Sequence, residues 1–277
     1  AGVGEEEDHI DMEWLSGVVE AALIRHRDNP TDPVPTTSPA PVRVAVDATS
    51  QMWLYYARSA LHAGNTTRAL ELYARITDFA PCNERGWIGL ARVRQKRMDM
   101  DAAEAAFRDG LRYCPRSPHL LQAYGVFRAR RGELREAMRL YREAVRCDAS
   151  HAASWVAMAK MHADHGRTRE ARECYRRAHE AEPRNAVALH AWACLEASSP
   201  DGSRALARDL LQRAARDAAR SSKPLVRLAR MDREDGEFDS ARELLQRALE
   251  RWPHDSHAHQ ALGELEEACG DVAAARA

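Results

Sequence analysis

Along most of this chain, large, small and polar positions recur in one fixed order. A large residue is followed by a small one four positions on and by an alanine sixteen positions on, with a usual period of thirty-four. The large anchors are Trp53, Trp87, Leu121, Trp155, Leu189, Leu225 and His259, and the alanines are Ala69, Ala103, Ala137, Ala171, Ala207, Ala241 and Ala275. In the first unit Trp53, Tyr56, Ala57 and Ala60 share one helical face, Gly64 turns the chain, and Ala69, Tyr73 and Ile76 face back. Pro81, Pro115, Pro183 and Pro253 stop the second helix of their units, because proline has no N–H to continue the ladder. A helix pair this short cannot bury its own apolar face. The pattern therefore predicts an all-α fold, a right-handed α-solenoid of about seven antiparallel helix pairs that bury their faces against each other. The fifth unit carries two extra residues around Ser198 to Ser203, which predicts a loop bulging from one rim before register resumes at Ala207.

The ends depart from the repeat. Glu5, Glu6, Glu7 and Asp8 precede Trp14, Leu15, Val18, Val19, Leu23 and Ile24, so residues 1–29 read as an amphipathic helix with acids at its positive end, placed to cap the stack. Residues 30–48, with five prolines between Pro30 and Pro41, read as an exposed linker. Residues 49–277 form the array. Its last repeat stops inside its second helix, so the array is expected to continue, and the uncapped end offers a surface for self-association.

Net charge is −1 over 277 residues, which excludes the crude basic signature of a nucleic-acid protein but says nothing of how charge divides between faces. Only Lys96, Lys160 and Lys223 among the 41 basic residues are lysine. The six cysteines, Cys82, Cys114, Cys147, Cys174, Cys194 and Cys269, show no ligand-like spacing and read as free thiols. No apolar run approaches the ~18 residues of a membrane span, so no membrane insertion is expected.

The repeat spacing resembles the tetratricopeptide repeat from about Thr49 to Ala277. Several units resemble its half-a-tetratricopeptide (HAT) variant, typical of RNA-processing proteins. The residues are Ala171-Arg172, Tyr175 and Arg177-Ala178; Trp192-Ala193 and Leu195-Glu196; Ala207-Arg208, Leu211 and Arg213-Ala214; and Ala241-Arg242, Leu245 and Arg247-Ala248. That resemblance implies a non-catalytic protein akin to chloroplast factors that stabilise, process or help translate transcripts, with mitochondrion and nucleus as alternative compartments. Its partners would be single-stranded RNA, or proteins if the chain is a scaffold subunit of a larger assembly. The Lys and Asn clamp by which some members hold a chaperone's C-terminal carboxylate is missing from the matching places Leu54, Arg58, Gly89, His119 and Ala123.

With the anchor face buried, the positions facing outward from the first helices would line the concave surface. They hold Arg58, Arg85, Arg92, Lys96, His119, Gln122, Arg130, Lys160, His190, Lys223, Arg227 and Arg230, against the acids Asp164, Glu234 and Glu264. This basic groove is the candidate RNA site, where arginine would meet phosphate or stack on bases. Arg172, Arg208 and Arg242 follow the packing alanines and read instead as structural, joining repeat to repeat. His162-x-x-His165 and His254-x-x-His257-x-His259 have no third ligand at a convincing spacing, so no metal or other cofactor is expected. No nucleophile elbow, phosphate-cradling loop or dinucleotide fingerprint occurs, and no enzyme activity is expected.

Overall fold

The computed structural model describes residues 40–217 and 221–270. Thirteen α-helices and no strands occur among them. They fall into two compact units, and the chain divides between Pro115 and Arg116.

The first unit contains α1 (Ala40–His62), α2 (Thr66–Phe79), α3 (Glu84–Lys96) and α4 (Met100–Tyr113). Helices α1 and α2 form one antiparallel pair, α3 and α4 the next, and α2 packs on α3. Helix α1 begins at Ala40, upstream of the expected start at residue 49, so the end of the 30–48 linker is helical. Pro41 lies in its first turn, where the missing N–H costs nothing. The remainder of the linker and the expected capping helix over 1–29 lie outside the described residues.

The second unit contains α5 (Pro118–Arg130), α6 (Leu134–Cys147), α7 (Ala152–Asp164), α8 (Thr168–Ala181), α9 (Ala186–Ser198), α10 (Arg204–Asp217), α11 (Lys223–Glu234), α12 (Phe238–Arg251) and α13 (Ser256–Ala268). The pairs α5/α6, α7/α8, α9/α10 and α11/α12 stack in chain order, and α13 closes on α12 and α11. This is the predicted arrangement of an α-solenoid of antiparallel pairs. The second helix of the seventh pair lies outside the described residues.

Local sequence sets the helix limits. Side-chain oxygens of Asn65, Asn83, Asp99, Ser117, Asn185 and Asp255 accept hydrogen bonds from backbone N–H groups of the turns they open, satisfying donors that have no partner within the helix. The hairpin turns sit at Gly64, Gly132, Gly166, Gly236 and Gly270, all with φ between 69° and 83°. Met98 occupies the same place in the second repeat with φ 61°, the only non-glycine residue with positive φ among those described.

The alanines are the constant part of the core. Ala69, Ala103, Ala137, Ala171, Ala207 and Ala241 are all 0% exposed. The anchors vary: Trp87, Leu121, Leu189 and Leu225 are buried, Trp53 and Trp155 are half-buried, and His259 is exposed. Full burial expected of Trp155 is therefore corrected. Its indole lies over the loop before its helix, where Nε1–H donates to the Ala149 carbonyl at 2.9 Å. Trp87 donates in the same way to Pro81 at 2.7 Å, and His259 Nε2 lies 2.8 Å from the Pro253 carbonyl. Where the anchor carries a ring nitrogen it can thus tie its helix to the preceding loop, whether the ring is buried, as in Trp87, or half-buried, as in Trp155. Twenty positions after the first four anchors and Leu225, and twenty-two after Leu189, where the repeat is longer, Tyr73, Phe107, Tyr141, Tyr175, Leu245 and Leu211 are buried. They explain the small residues of the first helices, since a Cβ on Gly125 would stand 2.5 Å from Tyr141 Cε1.

Candidate functional site

Arginines divide by the helix that carries them. On second helices of the second unit, the arginine after the packing alanine reaches an acid twenty-four residues on, in the next first helix. Arg172 holds Glu196 through Nε at 2.8 Å and Nη2 at 3.1 Å, and Arg242 holds Glu266 at 2.7 and 2.8 Å. Arg208 makes the same pair with Asp232. Glu196, Asp232 and Glu266 are all buried. The Arg172 guanidinium, with help from the Trp192 indole and the Ser203 N–H, holds the Glu196 carboxyl below its usual range against the opposing effect of burial. These three arginines join repeat to repeat, as their place after the alanines predicts. The acids that receive them were missed in the sequence, although the spacing of twenty-four was there to be read.

First-helix cations behave differently. Arg85, Arg92, Lys96, Arg130, Lys160, Lys223 and Arg227 form no ion pair with any of the described residues. In the first unit Arg58 and Arg92 flank the Tyr73 hydroxyl, and their charges oppose the rise that burial imposes on its pKa; Arg85 and Lys96 are exposed on α3.

In the second unit, Lys160, His190 and Lys223 come together in a groove of about 890 Å³ lined by α7, α9 and the start of α11. Arg227 stands close enough for its charge to act on both His190 and Cys194. Ala163, Val187, Ala191, Leu195 and Pro224 make the apolar lining, and Asp164 is its one acid. The groove opens where the repeat lengthens from thirty-four to thirty-six residues. Burial, then the positive charges of Lys223, Arg227 and Lys160, push the His190 pKa down, so the imidazole is neutral near pH 7. Cys194 Sγ lies 3.8 Å from His190 Nε2, but burial raises the thiol's pKa, which is the wrong direction for a nucleophile.

Other predicted site residues lie apart from this groove. His119 Nδ1 is 3.0 Å from His151 Nε2, Gln122 is half-buried, and Arg130 lies near the Tyr141 hydroxyl, whose pKa burial pushes up to about 12 against the arginine's charge. Arg230 sits 3.9 Å from Glu264 and so belongs with the paired arginines. Two rings line the groove, the half-buried His190 imidazole and Tyr175, which is buried and stacks on Trp192, itself donating Nε1–H to Glu196 at 3.0 Å. No group of three or more His, Cys, Asp or Glu side chains is arranged so that it could hold a metal ion among the described residues. His259 Nε2 is engaged by the Pro253 carbonyl and His165 Nδ1 by that of Met161, at 2.8 and 2.7 Å.

Three tetratricopeptide-repeat models match the chain, one over residues 50–93 and 152–195, one over 88–152 and one over 232–277. No curated protein matches it in sequence. Among solved structures, yeast Tom70 superposes with a TM-score of 0.68 at 14% identity, over 95% of this chain and 53% of that one. A chain of the APC/C hetero-tetramer Cut9–Hcn1 gives 0.61 at 12% identity over 92% and 46%. PilF of Pseudomonas aeruginosa gives 0.59 at 17% identity over 79% and 99%. At these identities the likeness is one of fold. No described helix is long and apolar enough to cross a membrane.

Proposed function

Because the chain belongs to the tetratricopeptide-repeat proteins, we propose that it is a non-catalytic adaptor whose α7–α9–α11 groove holds a protein segment carrying acidic side chains among apolar ones. One observation carries this reading: an apolar lining from Ala163, Ala191, Leu195 and Pro224 is shared with the unpaired cations Lys160 and Lys223, and Arg227 stands near enough for its charge to act on His190. Apolar contact supplies affinity for a side chain that leaves water, and the cations select acids beside it. Single-stranded RNA uses the same cations but takes much of its sequence-tolerant affinity from base stacking, and of the rings that line the groove Tyr175 is buried, which leaves the His190 imidazole alone for a base. Assembly with a protein is also the arrangement in which one structural neighbour, a chain of the Cut9–Hcn1 hetero-tetramer, is seen.

The test is selection from a random peptide library on the purified protein, with a random single-stranded RNA pool run beside it. Peptides enriched in Asp and Glu next to Leu, Ile or Phe are expected, and they should fail to bind the Lys160→Glu/Lys223→Glu variant. RNA binding whose log K falls with log salt by about 0.7 per phosphate, with no peptide selected, would replace this reading by the RNA one.

A further inference from the structure

The joint between α6 and α7 lacks the arginine–acid pair found at later joints. Met138 stands where Arg172, Arg208 and Arg242 stand, and His162, twenty-four residues on, takes the place of Glu196, Asp232 and Glu266. Around them lies a pocket of about 290 Å³ lined by Arg135, Arg142, Arg167, His162 and His165 over Leu134, Met138 and Met161. None of the three arginines forms an ion pair with a described residue. The His162 side chain is 8% exposed, lines the pocket and makes no hydrogen bond with any described residue. His165 turns its Nδ1 to the Met161 carbonyl instead. Burial is the main cause that holds the His162 pKa down; of the charged groups that act on it, Glu170 opposes this, and Arg167, Arg142 and His165 add to it.

We infer that this pocket binds a phosphate group. Guanidinium forks match the tetrahedral oxygens of phosphate, and charge-assisted bonds of this kind are about twice as strong as neutral ones. A dianion suits three arginines better than a carboxylate does, and the volume fits one phosphate group rather than a nucleotide. His162 adds an N–H donor from the buried side. In this pocket the anion stands where the buried carboxylate stands at the later joints, so binding would also brace α6 against α7. The inference is independent of the α7–α9–α11 groove, which shares none of these residues.

Two sources carry this chemistry, free phosphate and a phosphate borne on a partner's serine or threonine, and both can be tested with the intact protein. Inorganic phosphate is titrated at constant ionic strength and pH 7 while the His162 ring protons are followed by NMR, assigned with His162→Gln. A saturable shift with a dissociation constant below about 10 mM, and a rise in the pH midpoint of His162, are expected. Both should disappear in Arg135→Ala/Arg142→Ala, whose altered side chains are exposed and whose helical circular dichroism should be unchanged. A phosphoserine peptide with neutral flanks, run in parallel, distinguishes the source: binding about tenfold tighter than phosphate assigns a protein-borne group, and equal or weaker binding assigns free phosphate. A shift that stays linear with concentration, that acetate reproduces at the same ionic strength, or that persists in the double variant would overturn the inference.

Discussion

Two sets of cations in the second unit do opposite work although composition makes them look alike. Arg172, Arg208 and Arg242 lie on second helices and reach buried acids of the next repeat. Lys160, Lys223 and Arg227 lie on first helices, where no acid faces them except Asp164 at the edge of the groove. The first set has its charge neutralised inside the protein and contributes to the stacking of repeats. The second set keeps its charge for whatever enters. An arginine count cannot separate the two; the distance to a carboxylate can.

The largest expected effect breaks the first set. Arg172→Ala leaves Glu196, 3% exposed, buried without its guanidinium, and should cost about 3 kcal/mol in chemical denaturation. A loss no greater than that of an ordinary surface change would mean that the paired and unpaired cations are energetically alike.

A second substitution asks whether repeat register is equally strict at the turns. Met98 holds a left-handed backbone where five other repeats place glycine, and its side chain is 77% exposed. Met98→Gly should therefore raise stability by about 1 kcal/mol, read as a higher melting temperature, because the Cβ clash of that conformation is relieved.

Titration separates the sets without mutation. His162, His179 and His190 all have folded pKa values lowered first by burial. A histidine whose folded pKa lies below its unfolded one contributes stability above the unfolded value, near 6.5, and loses it as pH falls through the folded one. Stability should thus decline between about pH 7 and pH 5. The clamp acids Glu196 and Glu266 are also lowered, so their loss comes later, below the ordinary range of Glu. Thermal melts of the wild type and of His162→Gln should differ in the first window and agree in the second; identical slopes across both would contradict the assignment.

The smallest effect on stability belongs to the groove. Lys160→Gln and Lys223→Gln should each change unfolding free energy by less than about 0.5 kcal/mol, yet each should weaken an acidic peptide's binding. A destabilisation as large as that of Arg172→Ala would show that the groove cations hold the fold rather than a ligand.

How much of this could be read from the chain differs from residue to residue. The period of thirty-four, the packing alanines, the turn glycines and the loop prolines are local matters of sterics and backbone donors, and each carries its reason in its residue type. The structural part of Arg172, Arg208 and Arg242 was also legible, because they recur beside residues that pack. Their acids were not recognised, since Glu196, Asp232 and Glu266 look like any solvent-facing acid until the next repeat is laid against the last. Trp155 read as core and is half-buried, although Trp87 makes the equivalent loop bond from a buried position, so the degree of burial was set by the neighbouring repeat and not by residue type. Arg230 read as free and meets Glu264.

The sequence by itself determined the helix pairs and their order, because helical periodicity, capping and turn conformation act within a few residues. Only the tertiary structure decided which charges survive stacking, which is why Lys160, His190 and Lys223 became one groove while His119 met His151 instead. Coulombic pairing depends on distances between helices that no local pattern encodes, and a shift of one side chain's length decides whether a cation is structural or available to a partner.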